Sequence, residues 1–94
     1  MYVSDIIWLP HVIDKLNWKH QVYPEEVDEI LFGKPQYRKI QKGHVPGENL
    51  YAALGQTEAG RYLIVFFIFK PSNEALILSA RDMSNTERKQ YEPT

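Results

Sequence analysis

Ninety-four residues, 44% hydrophobic and 24% charged with a net charge of −1, fit one compact domain over 1–94 and leave no room for a second. The lack of cysteine excludes disulfides, thiolate zinc sites and cysteine nucleophiles, and the near-neutral balance gives no global pull toward nucleic acid. The longest apolar run, Tyr62 to Phe69, is far shorter than the ~20 residues of a membrane helix, and MYVSDIIWLPHV lacks the basic-then-apolar order of a signal peptide, so a soluble, cytoplasmic domain with no membrane contact is expected.

In chain order, DIIW predicts a short first strand. LPHVIDKLNWKH predicts a helix, with Pro10 in its first turn and Val12, Ile13, Leu16 and His20 at helical spacing. After QVY, PEEVDEILFG predicts a second helix. Pro24 suits its first position, Glu25 and Glu26 suit the positive end of the dipole, and Gly33 offers a stop. PQYRKIQK reads as a half-exposed edge strand, and NLYAALGQT as the next strand, with a bulge expected at Gly55. Glu58 to Gly60 turn into RYLIVFFIFK, whose β-branched and aromatic content predicts a central strand covered on both faces. Its aromatic residues Tyr62, Phe66, Phe67 and Phe69 are expected in the core. PSNE turns into ALILSAR, and SNTE, Ser84 to Glu87, is a capping box for a last helix from Asn85 to about Glu92, stopped by Pro93. The fold class is therefore α+β: a short N-terminal strand, two helices, an antiparallel meander of about four strands and a short C-terminal helix, with the first two helices covering one sheet face.

Charge is unevenly spread along this layout. Residues 1–30 carry six acids against two bases, 31–47 carry Lys34, Arg38, Lys39 and Lys42 with no acid, and 48–94 carry six acids against five bases. The middle stretch makes a local positive face or a solvated edge. His11, His20 and His44 are scattered, with no HExxH motif or carboxylate cluster, so no metal or cofactor is implied. A glycine-rich phosphate loop and a GxSxG motif are also absent.

What remains is a polar set at predicted element ends: Lys19 and His20 closing the first helix, Glu48 opening a strand, Arg61 opening the central strand and Arg81 closing the last. Metal-free cleavage of RNA needs only such groups. A base takes the 2′-OH proton, an acid protonates the leaving oxygen, and cations hold the phosphate as charge develops. His20 carries an imidazole, the side chain suited to moving protons at physiological pH, arginine grips phosphate in bidentate fashion, and Glu48 can act as a base or orient one. Each residue also has a plainer account. His20 lies on an apolar stripe, Lys19 gains from the helix dipole, Glu48 pairs with Arg61 or the basic stretch, and Arg81 ties the last strand to Glu87 or Glu92.

The order of these features resembles the BrnT family of bacterial toxins. The carrying segments are the first-strand tryptophan, NWKHQV before PEEVDEILF, a glutamate before YAALG, GRYLIVFF, and LILSARDMSNTERKQYE, from about Ile7 to Glu92. The resemblance implies a RelE-like fold and a ribonuclease that stops translation. It also implies neutralisation by a BrnA-type antitoxin, through which alone operator DNA is bound, with a homodimer or a toxin–antitoxin hetero-oligomer as the assembly. The family's polar positions fall on Lys19, His20, Glu48, Arg61 and Arg81. The chain departs from the family where Gln21 replaces a glycine, Leu9 an aspartate, Leu50 an arginine and Asp82 a basic residue. Gln21 then requires a different or strained turn, and Asp82 puts negative charge beside the site. Lys34, Arg38, Lys39 and Lys42, with Tyr37, are placed to compensate for the missing arginine on an RNA backbone. The alternative is a non-catalytic module of the same fold that holds a partner protein.

Overall fold

A computed structural model describes residues 1–43 and 45–91. His44 and the expected helix end at Glu92 and Pro93 lie outside them. The elements are β1 (Asp5–Ile7), α1 (Pro10–His20), α2 (Pro24–Leu31), β2 (Gln36–Gln41), β3 (Asn49–Gln56), β4 (Tyr62–Phe69), β5 (Glu74–Asp82) and α3 (Asn85–Tyr91). The sheet order is β1-β5-β4-β3-β2. Strands β2 to β5 form the antiparallel meander, while β1 joins the outer side of β5 in parallel, with Ile6 opposite Ala75. No helix among the described residues is long and apolar enough to cross a membrane.

The sheet is built around β4, the third strand of five. Leu63, Val65 and Phe67 point to the face covered by α1 and α2 and are completely buried. The helices bring Val12 and Leu16 from α1 and Val27, Ile30 and Leu31 from α2. Both prolines occupy the expected helix starts, where a missing N–H costs nothing.

The opposite face has a smaller cluster. Ala52, Leu54 and Ile64 are buried there, with Phe66, Met83 and Tyr91 packed against them. Strand alternation thus divides the expected aromatic core. Phe67 is fully buried, whereas Phe69 beside it and Tyr62 and Phe66 on the other face are only half-buried. Arg88 lies 4.0 Å above the Tyr62 ring and Arg81 5.5 Å from that of Phe66.

Gly55 makes no bulge; it pairs in register with Leu63. Its bareness serves packing instead, since a Cβ there would stand 3.1 Å from the Ile30 side chain. The irregularities lie at Lys39/Gln41 in β2 and in β5 opposite Phe66/Phe67. In β5, Phe67 pairs with Ile77 and Phe66 with Ser79, so Leu78 is the extra residue. Without it, a period of two would put Arg81 on the same face as Ile77. With it, Ala80 joins Ile77 in the helix-side core and Arg81 emerges on the opposite face.

Candidate functional site

Helix α1 closes on Gln21, whose φ of 52° and ψ of 39° are left-handed. This is a strained form for a residue other than glycine, because a Cβ crowds the carbonyl there. The Gln21 N–H donates to the Asn17 carbonyl at 2.9 Å, and the turn is locked from outside by Arg61. The Arg61 guanidinium donates to the carbonyls of His20 (2.8 Å) and Gln21 (2.6 Å), to Glu26 Oε1 (3.1 Å) and to Asp82 Oδ1 (2.8 Å). One side chain thereby ties the end of α1, the start of α2 and the end of β5. Its own position is fixed by a tight hairpin, in which the Arg61 N–H donates to Thr57 Oγ1 at 3.0 Å. The Arg61 hydrogen bond holds the Asp82 carboxyl below its usual range despite some burial, and the charges of Arg61 and His20 act in the same direction. Arg61 is raised in turn, chiefly by its bond to Asp82. His20 is half-buried and Lys19, beside it in the last turn, is exposed.

Arg81 makes a two-pronged pair with Glu87, Nη1 to Oε1 at 2.7 Å and Nη2 to Oε2 at 3.0 Å. Glu87 Oε1 also accepts the Ser84 N–H at 2.8 Å, and Ser84 Oγ accepts the Glu87 N–H at 3.1 Å. The capping box is therefore present, and Arg81 ties strand to helix as its plainer account held. The Arg81 bond, with help from Ser84, pushes the Glu87 carboxyl down to about 2.

Lys19, His20, Arg61 and Arg81 share one end of the sheet, since Asp82 neighbours Arg81 and holds Arg61. Arg61 faces the helices and Arg81 the other side. Glu48 is elsewhere. It precedes the Asn49–Phe69 pair at the far end of β3, roughly 30 Å along the strand from Arg61 at ~3.3 Å per residue. Its partner is Lys70, at 3.4 Å, and neither Arg61 nor the basic stretch.

The basic stretch divides by alternation. Tyr37 turns inward, donating to the Leu31 carbonyl at 3.3 Å and meeting Phe67 edge-on at 6.1 Å. Arg38 lies on the α3 face, donating to Gln90 Oε1 at 2.7 Å. Lys34, Lys39 and Lys42 are exposed. Two residues matter more than sequence reasoning allowed. The sequence marks Glu26 as a dipole-favouring acid and Asp82 as an intrusive charge, yet both hold Arg61. The signal available in advance was that Arg61 and Asp82 both lie at strand ends of one hairpin.

Chemically, this sheet end combines an imidazole, an exposed ammonium, an ionised carboxylate and two guanidinium groups. That set can transfer a proton and bind an anion. Among the described residues, no cluster of three or more histidine and carboxylate side chains could hold a metal ion. The fold defines the class, an α+β domain with a mixed five-stranded sheet. Compared with known proteins, the chain matches no family model and no curated sequence.

Proposed function

We propose that this chain is a metal-independent ribonuclease toxin of the BrnT type, held inactive by a BrnA-like antitoxin. The observation that carries the reading is the meeting of His20, Arg61 and Asp82 at one sheet end beside Lys19, with Arg81 next to Asp82 on the other side of the sheet. His20 takes the 2′-OH proton, and the freed oxygen attacks the adjacent phosphorus. The leaving 5′ oxygen takes a proton from Lys19, the exposed ammonium next in sequence, giving a cyclic phosphate and a free 5′-OH. Arg81, on the other side of the sheet end, binds a neighbouring phosphate of the same strand in bidentate fashion after exchanging Glu87 for it. Arg61 is a positioning residue, since its donors are already spent on His20, Gln21, Glu26 and Asp82. Glu48 has no part in proton transfer at its distance.

The test is cleavage of single-stranded RNA by purified protein in the presence of a chelator. The wild type cuts, while His20→Ala and Arg81→Ala, each still folded at the assay temperature, lose at least a hundredfold in rate. Equal cleavage by either folded variant removes that residue from the site.

A second reading, a partner-binding module without catalysis, draws on a different observation. On the face carrying α3, Leu50, Phe66, Ile68 and Leu76 are only half-buried and Leu78 is 40% exposed. Both arginines are also already paired with carboxylates. RNA left intact by folded wild-type protein favours this module.

A further inference from the structure

The connection from α2 to β2 and the segment Met1–Val3 enclose a pocket of about 370 Å³, within the ~300–1,000 Å³ of small-ligand sites. Val3 and Leu31 lie buried beneath it and Tyr37 is half-buried. Its rim carries two aromatic side chains that no core requires, Tyr2 at 72% exposure and Phe32 at 55%. Lys34 completes the lining with an exposed ammonium. Along β2, Lys39 follows Tyr37 on the same face, two residues on, and Lys42 lies just beyond the strand. The sequence from 31 to 47 contains no acid. Glu29, on the preceding helix, is engaged by the Glu58 N–H at 2.8 Å.

Exposed aromatic surface beside a cation suits a ligand that is flat, π-rich and anionic at one end. A nucleotide has that form: every base offers a face for stacking, and its phosphate can meet an ammonium without sequence preference. A base in a duplex is covered by its neighbours, so only an unstacked one could enter. Because β2 is the outermost strand, a chain leaving the pocket can run along Lys39 and Lys42 without crossing another strand.

We propose that this pocket binds one base of a single-stranded RNA, with Phe32 and Tyr2 as the stacking surface and Lys34 on the adjoining phosphate. The choice of RNA rests on the ribonuclease reading, but the pocket lies at the α2–β2 junction and uses none of the residues assigned to cleavage. It would hold the substrate strand while the chemistry proceeds at the end of α1.

The test is fluorescence anisotropy with a labelled single-stranded RNA octamer, against the same sequence as a duplex. The wild type should bind the single strand more tightly than the duplex. Phe32→Ala should weaken single-strand binding about tenfold, in line with the loss of one stacked base. Lys34→Ala should weaken it less and lower the dependence of log affinity on log salt by about 0.7. Both positions are exposed, so folding should persist, and unchanged thermal melts would show it. Wild-type affinity in folded Phe32→Ala, or absence of octamer binding by the wild type, overturns the proposal. Binding without cleavage keeps the pocket and removes the nuclease. Cleavage with an unchanged KM in Phe32→Ala does the reverse.

Discussion

Replacing Glu87 by glutamine keeps the shape of the Arg81 partner and removes its charge, so it isolates the electrostatic part of the Glu87 contacts with Arg81 and the Ser84 N–H. The folded carboxyl sits at about 2, against an ordinary 4.5. At ~1.36 kcal/mol per pKa unit, that difference sets a ceiling of about 3.4 kcal/mol. Arg81 is 37% exposed and Glu87 22%, so water screens the pair and about 1–2 kcal/mol is the realistic contribution. Because the folded value is depressed, the stabilisation is complete above the unfolded value and fades as pH falls from about 4.5 to 2. Urea melts of wild type and Glu87→Gln between pH 2 and 7 should therefore show a gap of about 1–2 kcal/mol at neutrality. The gap should close toward pH 2. A gap independent of pH, or one widening in acid, would refute the stabilisation of the Glu87 carboxylate by Arg81 and Ser84. The same substitution loosens the hold on Arg81, so under the ribonuclease reading RNA affinity should rise while stability falls.

Three more outcomes can be checked by denaturation. Gln21→Gly removes a Cβ from a left-handed residue and should stabilise the fold by about 0.5–1 kcal/mol, offset in part by the looser unfolded chain; destabilisation would show that the Gln21 side chain matters more than its backbone. Gly55→Val forces methyl groups against Ile30, itself 1% exposed, and should destabilise by about 1–3 kcal/mol; a neutral result would mean that α2 can shift freely on β3. Arg61→Met keeps the length of the side chain but abandons the His20 and Gln21 carbonyls, at a cost of about 2–3 kcal/mol. Hydrogen exchange should quicken at the end of α1, and unchanged protection there would refute the tying role.

The elements were legible because their signals are local. Pro10 and Pro24 mark helix starts, the unbroken apolar run marks β4, and Ser84 with Glu87 marks the last helix three residues apart. The parallel attachment of β1 to β5 was not legible, since three residues carry too little pattern to choose a partner. Nor was the extra residue in β5. ALILSAR reads as an even strand, and only the observed pairing shows that Leu78 slips the register and turns Arg81 to the other face. For the site, the contrast is one of sequence distance. The Arg81–Glu87 pair spans six residues, whereas the Arg61 partners lie 21 to 41 residues away and depend on how α1 meets the sheet. Glu48 was grouped with the others by chemical type, and the strand length separates it. Tyr37, grouped with the basic stretch, was claimed by the core through the strand's period of two.

The central claim is the RNA-cleaving activity, and the most direct measurement follows growth and total RNA together after induced expression of wild type and Arg81→Ala in a bacterial host. The account predicts growth arrest and RNA loss with the wild type alone. Normal growth and intact RNA with abundant folded wild-type protein would contradict it.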